Sequence, residues 1–211
     1  MSLAGRERAE LSDELDRVGP DRPTLCAGWA TRDLLAHLLV RERLPWAAPG
    51  IVVPALAPIT QRAMRSYDTV PWHERVGLLR SGPPVWSPMR PARIDAAANG
   101  GEFVVHHEDV RRGEPDWEPR PPDPERDEAV WALVQRSARM LYRRSPVGVV
   151  LRRPSGEQGE QVQAKAGSAV VTLVGEPIEL LLHAFGRSAV RLEYQGAEPD
   201  VAALAAAARG I

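Results

Sequence analysis

Leu11, Leu15 and Val18 recur at helical spacing with acids and arginines between them, which predicts an amphipathic helix over residues 4–18. Gly19-Pro20 stops it. A short loop ends in Gly28-Trp29-Ala30-Thr31. A second helix is then expected from about Arg32 to Leu44, with Thr31 as N-cap, Asp33 at the positive end of the dipole and Pro45 as its stop. Pro45, Pro49, Pro54 and Pro58 mark a long connection into a short helix around 58–66. Pro71 opens another short helix, Trp72 to Arg80, and Pro83, Pro84, Pro88 and Pro91 mark a further irregular segment. A longer helix is expected over about Arg93–Arg112. It contains Asn99-Gly100-Gly101, and each glycine costs a helix interior about 1 kcal/mol relative to Ala. Either the helix starts after these glycines or something packs closely against them. Pro115 to Pro124 reads as a loop, and Val130, Leu133, Val134 and Leu141 give another amphipathic helix over 125–144.

The texture changes near Ser145-Pro146. Residues 147–151, 161–165 and 169–174 read as strands, the first two joined like a hairpin through the turn-rich stretch Pro154 to Gly159. Pro177 opens a helix through about Phe185, and an Ala-rich helix covers about 199–208. The expected organisation is therefore mainly α: four main helices in a domain of residues 1–144, then a small α/β module of residues 145–211.

Charge narrows the partners. The 211 residues carry 27 basic and 28 acidic side chains, a net charge of −1, which argues against a broad electrostatic grip on nucleic acid. Lys165 is the one lysine among the basic residues; the arginine excess is read chiefly as a compositional bias. The single cysteine, Cys26, excludes an internal disulfide framework and a Cys-cluster zinc site. No apolar run approaches the ~20 residues that span a bilayer, and the charged N-terminus lacks a signal-peptide core. A cytoplasmic protein with neither nucleic-acid nor membrane partners is expected.

Five histidines carry the candidate chemistry. On a helix, Glu102 and His106 lie four residues apart on one face, with Asn99 on the same stripe. His37, in the middle of the second helix, would add a third ligand. Two imidazoles and a carboxylate leave a coordination position open, as in catalytic rather than structural metal sites. A Glu-x-x-x-His pair also serves as an ordinary surface contact. His107 is the rival ligand, but its register with Phe103 and Val110 is more apolar. Asp33 either orients His37 or simply favours the helix start. Cys26 reads as a buried loop cysteine, Asp109 as solvated or as a base supporting the site, and His183 as a core histidine. His73 has no evident partner, and Trp29 could wall the site.

The segment Pro23-Thr-Leu-Cys-Ala-Gly-Trp29-Ala-Thr-Arg-Asp33-Leu-Leu-Ala-His37-Leu resembles the N-terminal signature of the mycothiol-dependent maleylpyruvate isomerase family. That family belongs to the DinB/YfiT-like superfamily of metal-binding four-helix bundles, and the chain looks like an actinobacterial branch of it. Glu102-Phe-Val-Val-His106-His-Glu-Asp109-Val-Arg-Arg112 is similar to the second half of the family's metal site. Gly175-Glu-Pro-Ile-Glu-Leu-Leu-Leu-His-Ala-Phe-Gly-Arg187 resembles its C-terminal Gly-Arg segment, within a sterol-carrier-like module.

The resemblance implies His37, Glu102 and His106 as ligands of a divalent metal, zinc being the usual ion, with mycothiol as thiol co-substrate. It implies a transferase or isomerase acting on a small electrophilic or anionic substrate, with Arg187 either clamping a substrate carboxylate or capping the preceding helix. With one cysteine in the chain, thiol chemistry would use a thiol brought from outside. The alternative is a non-catalytic small-ligand-binding or sensing protein on the same scaffold.

Overall fold

A computed structural model of the chain describes residues 2–87, 90, 92–154 and 159–207. Contacts divide the chain into two units, Met1–Pro119 and Arg120–Ile211. The division falls earlier than the expected boundary after residue 144.

In the first unit, α1 (Leu3–Val18) starts at Ser2, whose hydroxyl accepts the Gly5 N–H, and stops at Gly19, whose φ of 78° favours a residue without Cβ. The second helix, α2, is Thr31–Arg43. Thr31 is not its N-cap: Ala30 is, and the Asp33 carboxylate accepts the Ala30 N–H at 2.9 Å. The Thr31 hydroxyl instead donates to the Gly19 carbonyl at 2.6 Å, tying the start of α2 to the end of α1. The proline-rich connection holds two 3₁₀ turns, Ala48–Ile51 and Pro54–Leu56, and leads into α3 (Ala57–Arg65). Then come α4 (Trp72–Arg80) and α5 (Ala92–Arg111).

The core forms where the apolar stripes of these helices meet, with Leu11 and Leu15 of α1, Leu34, Leu35, Leu38 and Leu39 of α2, and Leu79 of α4 at or near zero exposure, joined by Phe103 of α5. Removing such side chains from water contributes roughly 1.5–3 kcal/mol each. Arg8 of α1 and Glu42 of α2 form a buried ion pair at 2.6 Å. Helix α5 runs through Asn99-Gly100-Gly101 without a break, and a Cβ at Gly101 would meet nothing within 4 Å. Neither expected explanation of the glycines holds at Gly101.

The loop between α1 and α2 folds back on the end of α5. Leu25 N–H donates to the Asp109 carbonyl at 3.0 Å. A Cβ on Gly113 would stand 2.0 Å from the Pro23 carbonyl oxygen, so only glycine lets the loop lie this close. The approach sets Cys26 beside α5.

The second unit begins with α6 (Pro124–Leu141), capped by Asp123, whose carboxylate accepts the Arg126 N–H at 3.0 Å. A four-stranded sheet follows, ordered β2-β1-β3-β4, from β1 (Gly148–Arg153), β2 (Glu160–Lys165), β3 (Val170–Val174) and β4 (Glu193–Gln195). Strand β1 pairs antiparallel with β2 and parallel with β3; β4 closes the edge antiparallel to β3. The hairpin expected between β1 and β2 is present as a pairing, although residues 155–158 of its connection lie outside the described residues. Every residue of α7 (Pro177–Ala184) is buried, and α8 (Glu198–Ala206) ends the described chain. Helix α6 packs on α7 and β2, which is why it groups with the sheet rather than with α1, α2 and α5. Its expected place in a bundle of residues 1–144 rested on periodicity, which says that a face is apolar but not what covers it.

Candidate metal centre

Helices α2 and α5 bring His37, Glu102 and His106 together, with one donor atom from each lying within 4.8 Å of the others. The separation 102–106 is one helical turn, so Nε2 of His106 lies 3.4 Å from Oε2 of Glu102. The ring of His37 meets that of His106 edge-on at 5.2 Å between centroids, and the Trp29 ring lies 5.2 Å from that of His37. Both imidazoles are buried, His37 at 6% exposure and His106 at 8%.

The electrostatics differ between the two histidines. Burial pushes the His37 pKa down to about 3, with His106 and Arg41 adding repulsion, so its imidazole is neutral at pH 7 and keeps a lone pair. Burial also disfavours charge on His106. Its contacts with Asp109, Cys26 and Glu102 outweigh that and hold its pKa well above the ordinary histidine range. Glu102 feels the same opposition: burial raises its pKa, but the His106 contact and the Arg41 guanidinium bring it down to about 2, and it is ionised.

Asp109 fixes the His106 ring. Its Oδ2 accepts from Nδ1 at 2.9 Å and from the Cys26 thiol at 3.2 Å, and the residue has no exposed surface. The expected solvated aspartate is thus a buried one. A carboxylate on Nδ1 leaves Nε2 as the nitrogen aimed at Glu102 and His37, the arrangement seen where a carboxylate orients a metal-binding imidazole. Cys26, His106 and Asp109 also form a possible ligand group of their own, as do Glu7, Glu10 and His107.

Arg41 was not singled out from the sequence. It lies one turn after His37 on α2, and its guanidinium meets Glu102 Oε2 at 2.6 Å and Asn99 Oδ1 at 3.4 Å. The i, i+4 spacing from His37 was the available signal. The contacts of Arg41 and His106 with the Glu102 carboxylate fall on the same oxygen. A neutral imidazole, a second imidazole that gives up its Nε2 proton when a cation binds, and an ionised carboxylate form a donor set that fits a divalent cation.

The remaining candidates have contacts of their own. His107 faces α1, where its Nδ1 meets Glu7 Oε2 at 3.0 Å. Asp33 serves the helix start. His73 is exposed, with Nε2 4.0 Å from Glu74. In the second unit, His183 is buried and its Nδ1 pairs with the Tyr142 hydroxyl at 2.6 Å, as a core histidine would. Arg187 is also in that unit, and its Nη1 donates to the Phe185 carbonyl at the end of α7, at 2.9 Å.

No protein-family model matches the sequence, and no curated protein is significantly similar to it. Among solved structures, the chain is similar to the crystal structure of the mycothiol-dependent maleylpyruvate isomerase. That likeness has a TM-score of 0.53 at 15% identity, over 94% of this chain and 92% of the other. At that identity the likeness establishes a shared fold: a helical part followed by a C-terminal α/β part. Among the described residues, no helix is long and apolar enough to cross a membrane.

Proposed function

We propose that the chain is a divalent-metal-dependent enzyme that uses a low-molecular-weight thiol, mycothiol, in a transferase or isomerase reaction on a small electrophilic or anionic substrate. The observation that carries this is the convergence of His37, Glu102 and His106 donors within 4.8 Å of one another, with both imidazoles buried and Glu102 partly so. The shared fold with a mycothiol-dependent isomerase supports the choice of thiol.

In this reading His37, Glu102 and His106 hold the ion, with zinc the expected metal. When bound, such an ion supplies Lewis acidity, favouring the thiolate form of a thiol and polarising a carbonyl. The protein's own part is to present the ligands. Burial keeps His37 deprotonated, His106 and Arg41 keep Glu102 ionised, and Asp109 directs His106 Nε2 inward. The Trp29 ring packs at a tilt beside His37. Arg187 of the second unit is proposed, separately from the metal centre, as an anion-binding side chain, for which a guanidinium fork is suited.

The test is a thiol-transfer assay with mycothiol and a panel of electrophiles. A metal-dependent rate above the uncatalysed reaction, lost in His106→Ala, is expected. No acceleration across the panel by metal-loaded protein would instead favour a ligand-binding or sensing role.

A further inference from the structure

Among the described residues, the large hydrophobic residues exposed in the first unit fall in two segments. Trp46, Ile51, Val52, Val53, Leu56 and Ile59 lie between α2 and the start of α3; Val85 and Trp86 follow α4. The extremes are 66% exposure for Trp46, 62% for Trp86 and 79% for Val85. Ser87 brings the segments to one end of the unit, because its hydroxyl donates to the Glu42 carbonyl at 2.9 Å, in the last turn of α2. A patch of this kind on a water-soluble surface marks an interaction site.

Its charge is one-sided. Residues 44–66 and 81–87 contain no Asp or Glu, in a chain with 28 of them. A groove of about 630 Å³ runs between Leu44, Trp46 and α3, lined by Ile59 and Pro58 with Arg62 and Arg65 beside them. Both arginines are exposed, and among the described residues no carboxylate pairs with either. By contrast, Arg80 on α4 holds Asp13 and Asp16.

We infer that this end of the helical unit docks on an anionic lipid bilayer, with Trp46 and Trp86 at headgroup depth and Arg62 and Arg65 on anionic headgroups. Tryptophan combines an apolar ring with one N–H donor and suits that boundary, and cations beside an apolar face are the usual partners of anionic lipid. Two alternatives fit less well. A small ligand in the groove would leave Val52, Val85 and Trp86, which do not line it, exposed to water. A second copy using the same face would set arginines against arginines across a two-fold axis. An acidic amphipathic protein would match the charge of Arg62 and Arg65 and is separated from the lipid surface by the vesicle experiment.

The experiment is co-sedimentation of the full chain with vesicles of phosphatidylcholine with and without phosphatidylglycerol, with tryptophan fluorescence read in parallel. Binding to the phosphatidylglycerol vesicles alone, a blue-shifted emission and weakening by salt are expected. The double variant Arg62→Gln/Arg65→Gln should partition about 30-fold more weakly, from about 1 kcal/mol per cation at an anionic surface and tenfold per 1.4 kcal/mol. Trp46→Ser/Trp86→Ser should lose the blue shift, while metal content and helical circular dichroism stay at wild-type levels in both. The proposal is overturned by no binding, by equal binding to neutral vesicles, or by binding that neither double variant weakens. Concentration-dependent dimerisation abolished by the tryptophan variants would overturn it too. None of these outcomes bears on the metal centre, because no substituted residue belongs to it.

Discussion

His106 Nδ1 lies 2.9 Å from Asp109 Oδ2, and this buried contact decides which nitrogen of the ring faces His37 and Glu102. The aspartate sits three residues on along the same helix, so α5 carries both the ligand and the group that orients it.

Asp109→Ala should therefore weaken metal binding about 10- to 100-fold without removing a ligand, the usual cost of losing such a partner. Competition against a chromogenic chelator measures it; an unchanged affinity would show that Asp109 does not orient the ring for metal.

Cys26 separates two possible ligand groups that share His106. If His37, Glu102 and His106 form the site, Cys26→Ser keeps one metal per chain. Loss of the metal in Cys26→Ser would move the site to the thiol side of the ring.

Acid sensitivity reports on His37. Its folded pKa of about 3 lies below its unfolded value near 6.5, so the unfolded state takes up the proton first and stability falls as pH drops from about 6.5 towards 3. His106 acts oppositely: with its folded pKa raised, its contribution is present below about 6.5 and fades as pH rises. Glu102, lowered to about 2, adds a loss only below about 4.5. Between pH 7 and 5 the His37 loss exceeds the His106 gain, because the His106 contribution changes mainly above about pH 6.5 and the His37 contribution below it. His37→Gln should gain about 2 kcal/mol relative to wild type over that interval, at 1.36 kcal/mol per pH unit. Urea unfolding of metal-free protein at the two pH values measures it, and parallel pH dependences would contradict the assignment.

Much of this was legible in the chain. The helices, the three longer strands and the His37, Glu102 and His106 grouping follow from periodicity, turn residues and a resemblance to known metal sites. What was missed depends on contacts between distant residues. Asp109 looked solvated because nothing in its own helix announces the loop that Leu25 ties to its carbonyl. Strand β4 escaped notice because three exposed residues give no alternation. The placement of α6 with the sheet depends on α7 and β2, which lie later in the sequence.

Gly101 is a conflict between local preference and fold that the structure does not explain by packing. Since its Cβ position is open, Gly101→Ala should stabilise the protein by roughly 0.5–1 kcal/mol through helix propensity and reduced chain freedom. Chemical denaturation measures this; destabilisation would show that Gly101 is held by a constraint other than space for a Cβ.

The most direct measurement is metal analysis of untagged protein beside its His106→Ala variant. About one divalent ion per chain in the wild type, and none in the variant, is the predicted result. Wild-type protein that stays metal-free after incubation with zinc, or a variant with full occupancy, would contradict the assignment of His37, Glu102 and His106.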